Sequence, residues 1–151
     1  MSDAAYSGVV MPIYQGVSGS RHVLAVDWHI EVELPDGRRF GISIKKGFEF
    51  DGASIPRALW RVCGHPLEVP RVAAALAHDF IYASHLLDRE TADVIYREIC
   101  RMVYIAWLRR SVEYYTLRLF GSAAWYSHEQ SDIAFARSHG AVELMNEKEI
   151  R

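Results

Sequence analysis

His78 and Asp79 stand side by side in a segment that is apolar on almost every side: Val72, Ala73, Ala74, Ala75, Leu76, Ala77, Phe80, Ile81 and Ala83. A helix of that composition is buried. Burying an ionisable pair costs on the order of several kcal/mol unless each group finds a partner or a metal. The chain turns near Leu86 and a second helix follows, so the two helices run antiparallel. His78 lies eight residues before that turn and Asp93 seven after it. At about 1.5 Å of rise per residue both reach a similar height. If both face inward, the Asp93 carboxylate holds the His78 imidazole. Such a dyad fixes the tautomer and raises basicity, which suits a general base. Asp79 points about 100° away from His78 and could serve a different group, such as a hard cation. Tyr82, one turn after His78, can bond into the same cluster. The same residues can equally form a purely structural polar network. Exposure separates the two readings, because a catalytic dyad opens onto a cleft and a structural lock is sealed.

A second candidate is Asp51-Gly52-Ala53-Ser54. A glycine-containing turn after a strand can aim backbone carbonyls at a cation, and Asp51 adds a carboxylate. Ser54 could act as a nucleophile with His78 as its base, although the G-x-S-x-G elbow is missing. The plainer reading is that Asp51 and Ser54 order a loop. An His-Asp pair also serves phosphohydrolases that work on iron or manganese. Those need further ligands, and the spacing of His65, His85 and His128 does not supply them.

The elements that must position these groups can be read from periodicity. Leu24, Val26, Trp28, Ile30, Val32 and Leu34 share one parity, with Asp27, His29, Glu31 and Glu33 on the other. That pattern predicts one half-buried strand. Pro35-Asp36-Gly37 is a turn in which glycine accepts a positive φ. Phe40, Ile42 and Ile44 resume the alternation, and Phe48 and Phe50 keep it, which gives a long antiparallel hairpin with one apolar face. Gly52 and Pro56 mark an irregular loop, followed by a short helix around 56–62. Pro70 suits the first position of a helix over about 71–84. Asp88 caps a second helix that runs to about Val103. A third covers about 108–120 and stops at Gly121. Residues 1–20 read as a loose lead-in. Residues 127–151 read as a polar tail that forms one marginal helix or frays. The chain has no repeat and no dividing linker, so it reads as a single α+β domain: an antiparallel hairpin or small sheet packed on three main helices.

The chain has 151 residues, half of them hydrophobic, which suffices for a sizeable core and excludes a disordered, collagen-like or coiled-coil chain. Lys+Arg is 17 and Asp+Glu is 19, and the net charge of −2 argues against nucleic acid as a partner. Only three of the basic residues are lysines, so arginine dominates. Cys63 and Cys100 make neither a disulfide framework nor a zinc spacing. Met1 to Ala5 has no basic stretch followed by an apolar one, so no secretory signal is expected, and the longest apolar run, 102–108, is too short to span a bilayer. The expected compartment is a reducing cytoplasm. The stretch from Tyr96 to Tyr126 is dense in aromatics and arginine, which suits either a membrane surface or a core with a solvated arginine face.

Taken together, the motifs resemble a phage and prophage family of small proteins known only as a domain of unknown function. The motifs are Lys45 to Arg57 (KKGFEFDGASIPR), Ala75 to Tyr82 (ALAHDFIY), Ala92-Asp93 with Tyr96, and Arg118 to Gly121 (RLFG) with Trp125. The likeness covers about residues 22–126 and implies a phage or prophage origin, and with it the cytoplasm of a bacterial host or a phage virion as the compartment, without implying an activity. The helix Ala74 to Tyr82 followed by Asp93 is also similar to the core of the disulfide-poor viral and bacterial phospholipases A2. That likeness implies that His78 activates the attacking water, Asp93 orients His78, Tyr82 supports the network, and Asp79 binds calcium. Asp51 and Gly52 would stand for the calcium loop, with Ser54 and Arg57 ordering it. Calcium would polarise the ester carbonyl. The chain departs from that family in having only Gly52 in this loop, no disulfides, and a His-to-Asp separation of 15 residues.

These readings lead to three functional expectations. The first is a calcium-dependent hydrolase of the phospholipase A2 type acting on membrane lipids. The second is a virion, tail or assembly component, partnered by other phage structural proteins, whose His-Asp-Tyr cluster locks two helices. The third is a membrane-surface accessory of a lysis cassette, whose liposome binding weakens with salt and needs no metal.

Overall fold

A computed structural model describes residues 9–18, 21–51 and 68–145, which form an α+β fold. The strands come first: β1 (Tyr14–Ser18), β2 (Arg21–Leu24), β3 (Trp28–Glu33), β4 (Arg39–Ile44) and β5 (Glu49–Phe50). Helices α1 (Val72–Ser84), α2 (Arg89–Met102), α3 (Trp107–Phe120), α4 (Ser122–Tyr126) and α5 (Gln130–Ser138) follow, and β6 (Gly140–Met145) closes the order. The strands make two antiparallel three-stranded sheets, ordered β1-β2-β5 and β3-β4-β6.

The expected hairpin is β3–β4, with Trp28 opposite Ile44, Ile30 opposite Ile42 and Val32 opposite Phe40. Those six side chains are buried, while His29, Glu31 and Glu33 face out. At the turn Gly37 takes φ +93°, and Leu34 exchanges backbone hydrogen bonds with Arg38 and Gly37. The alternation from Leu24 to Leu34 is nevertheless two strands in different sheets. Val26, between them, is 50% exposed. The Asp27 carboxylate accepts the Lys46 amide at 2.9 Å, and Gly47, at φ +97°, donates to the Leu24 carbonyl. The chain bends there, so β5 pairs with β2 instead of prolonging the hairpin.

Both ends carry more order than their composition suggests. Part of the expected lead-in is β1, which pairs with β2. The expected tail contains α5 and β6. Glu129 and Asp132 build a reciprocal capping box for α5. β6 pairs with β4 at every position from Gly140 opposite Ile44 to Met145 opposite Arg39. The helix predicted around 56–62 lies outside the described residues.

The three main helices lie close to their expected bounds. Arg71, not Pro70, occupies the position before the first residue of α1, so the proline stands outside the helix. Asp88 caps α2, accepting both the amide and the hydroxyl of Thr91. α3 does end before Gly121, but that glycine has φ −72° and leads directly into α4. It is required by space. A β-carbon there would strike the Leu117 carbonyl oxygen and lie 2.6 Å from the Tyr82 hydroxyl.

Gly140 is a similar close approach. A β-carbon at that position would collide with the Ser43 carbonyl oxygen and come within 2.7 Å of the Phe80 ring. Phe80 is fully buried on α1 and cannot give way. Gly140→Ala is therefore expected to destabilise the fold by about 1–3 kcal/mol, read as a lowered midpoint in urea unfolding with an unchanged slope.

Candidate functional site

Asp93 is the centre of the buried polar cluster. Its side chain is 0% exposed and its two oxygens serve three helices. Oδ1 lies 2.8 Å from His78 Nε2 and accepts the Tyr82 hydroxyl at 2.6 Å. Oδ2 accepts Arg118 Nη1 at 2.9 Å and lies 3.7 Å from Arg89 Nη1. α1 thus supplies His78 and Tyr82, α2 supplies Asp93 and Arg89, and α3 supplies Arg118. The antiparallel arithmetic holds, with both His78 and Asp93 turned inward at one height.

The partners dictate the charge states. An ionised carboxylate only accepts, so His78 Nε2 carries the proton and Nδ1 is the basic nitrogen. Burial alone would raise the Asp93 carboxyl. The hydrogen bond from His78, with those from Tyr82 and Arg118, outweighs it and holds the carboxyl below its ordinary range. Burial, then the Asp93 carboxylate, push the Tyr82 phenol well above its usual value, so it stays a donor. The His78 ring lies between two tyrosines, with Tyr82 at 4.0 Å and Tyr96 edge-on at 5.5 Å between centroids. His78 is itself only 1% exposed.

Asp79 faces elsewhere, as the helical offset requires. Its Oδ2 accepts the Asp51 backbone amide at 3.1 Å, which brings two of the expected metal-binding residues together. Both line a cavity of about 380 Å³ between the β5 region, α1 and the α4–α5 turn, with Tyr82, His128, Asp132 and Phe50. Tyr82 is shared, its ring on this cavity and its hydroxyl on Asp93. Among the described residues no three His, Cys, Asp or Glu side chains are grouped so as to hold a metal ion. Calcium takes six to eight oxygens, and Asp79 and Asp51 supply carboxylates for only part of such a shell. Gly52, Ser54 and Arg57, the other expected loop residues, lie outside the described residues.

Two buried features were not anticipated. Arg89 and Arg118 supply the positive charge that Asp93 needs. Their signal was present: Arg89 is one helical turn before Asp93, and Arg118 opens the RLFG motif. The second is an ion pair of Arg71 Nε with Glu113 Oε1 at 2.9 Å, both side chains at most 2% exposed. Burial pushes the Glu113 carboxyl up, against the pull of Arg71.

With this geometry established, the chain can be set beside known proteins. The family described as Protein of unknown function (DUF1353) matches residues 27–117, from β3 through most of α3, and the chain belongs to it. No curated protein and no solved structure matches the chain.

The Asp93 cluster has a measurable signature. Asp93→Asn keeps the shape but leaves two guanidinium groups without their carboxylate, and is expected to cost about 3–5 kcal/mol of stability. The sign in pH follows from the lowered carboxyl: its stabilising contribution is complete above the unfolded value near 3.9 and is lost as pH falls through the folded value. Glu113, raised by burial, has the opposite sign, contributing most at low pH. Urea midpoints measured from neutral to acid pH should therefore fall less steeply in Asp93→Asn than in the wild type.

Proposed function

We propose that the Asp93 cluster is a lock between three helices and that the protein is a non-enzymatic virion or assembly component. The observation that carries this reading is the burial of His78, which is 1% exposed and is absent from the described lining of the cavity that Asp79 and Tyr82 share. A second reading is favoured by the pair of bonds on Asp93 Oδ1, from His78 Nε2 at 2.8 Å and the Tyr82 hydroxyl at 2.6 Å: a hydrolase of the phospholipase A2 type, in which His78 Nδ1 takes the proton of the attacking water. The carboxylate holds the ring in one tautomer, and Tyr82 fixes the carboxylate. Asp79, the next residue along, lies on a cavity with Asp51. Those two residues would contribute to a bound calcium ion, whose chemistry would be to polarise the ester carbonyl. Their partial coordination shell carries no step by itself. The substrate class is an ester of a membrane phospholipid, and a phage or prophage origin goes with this reading.

The lock reading draws further support from Arg118 and Arg89, which approach the same carboxylate from α3 and α2.

Fatty-acid release from mixed phospholipid vesicles, with calcium or with chelator, separates the two. Under the hydrolase reading His78→Asn reduces release by about 10²–10⁴-fold, the span of a general base, while circular dichroism shows it folded. Asp79→Asn, at the cavity wall, removes the calcium response. Absence of release from the wild type, with His78→Asn lowering only the melting temperature, assigns the cluster to architecture.

A further inference from the structure

The outer face of α3 is apolar without being covered. Leu108, Val112, Tyr115 and Leu119 recur at intervals of four, three and four residues, so they form one stripe along the helix. Leu119 is 72% exposed, Leu108 67% and Tyr115 62%. Trp107, Phe120 and Tyr126 nearby are exposed as well. The buried face of the same helix holds Glu113, Thr116 and Leu117. Stray apolar residues on a surface are normal, but a contiguous row of this size marks an interaction site.

Next to the stripe is a cleft of about 490 Å³ between α2 and the first half of α3. Arg97, Arg101 and Arg110 line it, with Glu98 as the one acidic lining residue among those described. Arg101 Nε lies 2.8 Å from Glu98 and Arg97 Nε lies 3.9 Å from the same carboxylate. Three guanidinium groups against one carboxylate leave the cleft with an excess of two positive charges. Arg97 also lies over the Tyr114 ring at 4.3 Å. Tyr115 belongs to the stripe and also lines the cleft, and exposed Trp107 lines it too, so the two features form one surface.

Charge decides the occupant. A second copy packed on this surface would set its own Arg97–Arg101–Arg110 cleft, with the same excess of positive charge, against the first. Like charges brought together in this way oppose pairing. An anionic surface matches both parts, with phosphate groups meeting the arginines and acyl chains meeting the leucines. Exposed tryptophan and tyrosine suit the boundary between the two, where an amphipathic ring has an apolar and a wet side.

We infer that α3 and the Arg97–Arg101–Arg110 cleft dock this protein peripherally on an anionic phospholipid bilayer. No helix among the described residues is long and apolar enough to cross a membrane, so the contact is with the surface. The inference goes beyond the hydrolase reading and stands without it, because binding requires neither His78 nor a metal.

Cosedimentation with vesicles of ether-linked phospholipids, which an ester hydrolase cannot cleave, keeps the two apart. The wild type is expected to bind vesicles containing about one-quarter phosphatidylglycerol far better than pure phosphatidylcholine. Binding should weaken as salt rises from about 0.1 to about 1 M, where the Debye length falls from roughly 10 to roughly 3 Å. Leu119→Asp should weaken binding about tenfold, the worth of one buried leucine. Arg101→Gln should weaken it about fivefold, the worth of one surface cation. Both positions are exposed, and unchanged melting temperatures check that the fold is kept. Equal binding to both kinds of vesicle, no binding, or binding that neither substitution changes would overturn the inference. So would a dimer in light scattering that Leu119→Asp dissociates while vesicles are not bound, which would assign the stripe to a second copy.

Discussion

A buried carboxylate in the middle of a helical layer must stay ionised or leave, and Asp93 stays. Each neighbour on it is a donor, and each comes from a fixed point on a helix: His78 and Tyr82 on α1, Arg89 within α2, Arg118 on α3. The relative height and rotation of three helices follow from one charge. The same arginine that approaches Asp93 from α2 also donates to the Leu117 and Arg118 carbonyls, satisfying the open end of α3. Gly121 has no side chain because Tyr82 and Arg89 occupy the space one would fill. Removing the carboxylate therefore removes more than one bond, since what remains is positive charge in a dry place.

The Arg71–Glu113 pair repeats this logic between the start of α1 and the middle of α3. Tyr96 donates to Glu113 from α2 at 3.4 Å, so the second pair also reaches three helices. Two such charged ties in one helical layer fix register more sharply than apolar contacts would, because alanines along α1 can slide past a neighbour at little cost and a guanidinium cannot abandon its carboxylate. The alanine run lets the helices come close, and the charges decide where they stop.

Much of this was legible in the sequence, and what was not has identifiable causes. The β3–β4 hairpin, the three main helices, the Asp88 cap and the inward meeting of His78 with Asp93 follow from periodicity, turn chemistry and helical rise. The split between β2 and β3 was hidden because Val26 keeps the apolar parity while facing solvent; only the Asp27 bond to Lys46, far along the chain, reveals the bend. β6 was hidden by its setting, since Gly140-Ala-Val-Glu-Leu-Met offers two alternating apolar residues in a polar stretch, and its strand state comes from pairing with β4. Arg71 and Glu113 were hidden because charged residues are ordinarily taken for surface, and their burial depends on a partner distant in sequence.

The polar cluster and the outer surface meet in α3. That helix is tied inward by Arg118 on Asp93 and by Glu113 on Arg71, while its Leu108, Val112, Tyr115 and Leu119 side chains are exposed. An apolar row on a loosely held helix could roll inward and bury itself. Here rolling would draw Arg118 off Asp93 and Glu113 off Arg71, leaving two pairs of buried charges unmatched. That loss exceeds what covering a few exposed side chains returns. The charges buried inside thus keep the apolar row outside, and the residues that build the His-Asp cluster are also the ones that keep this surface exposed.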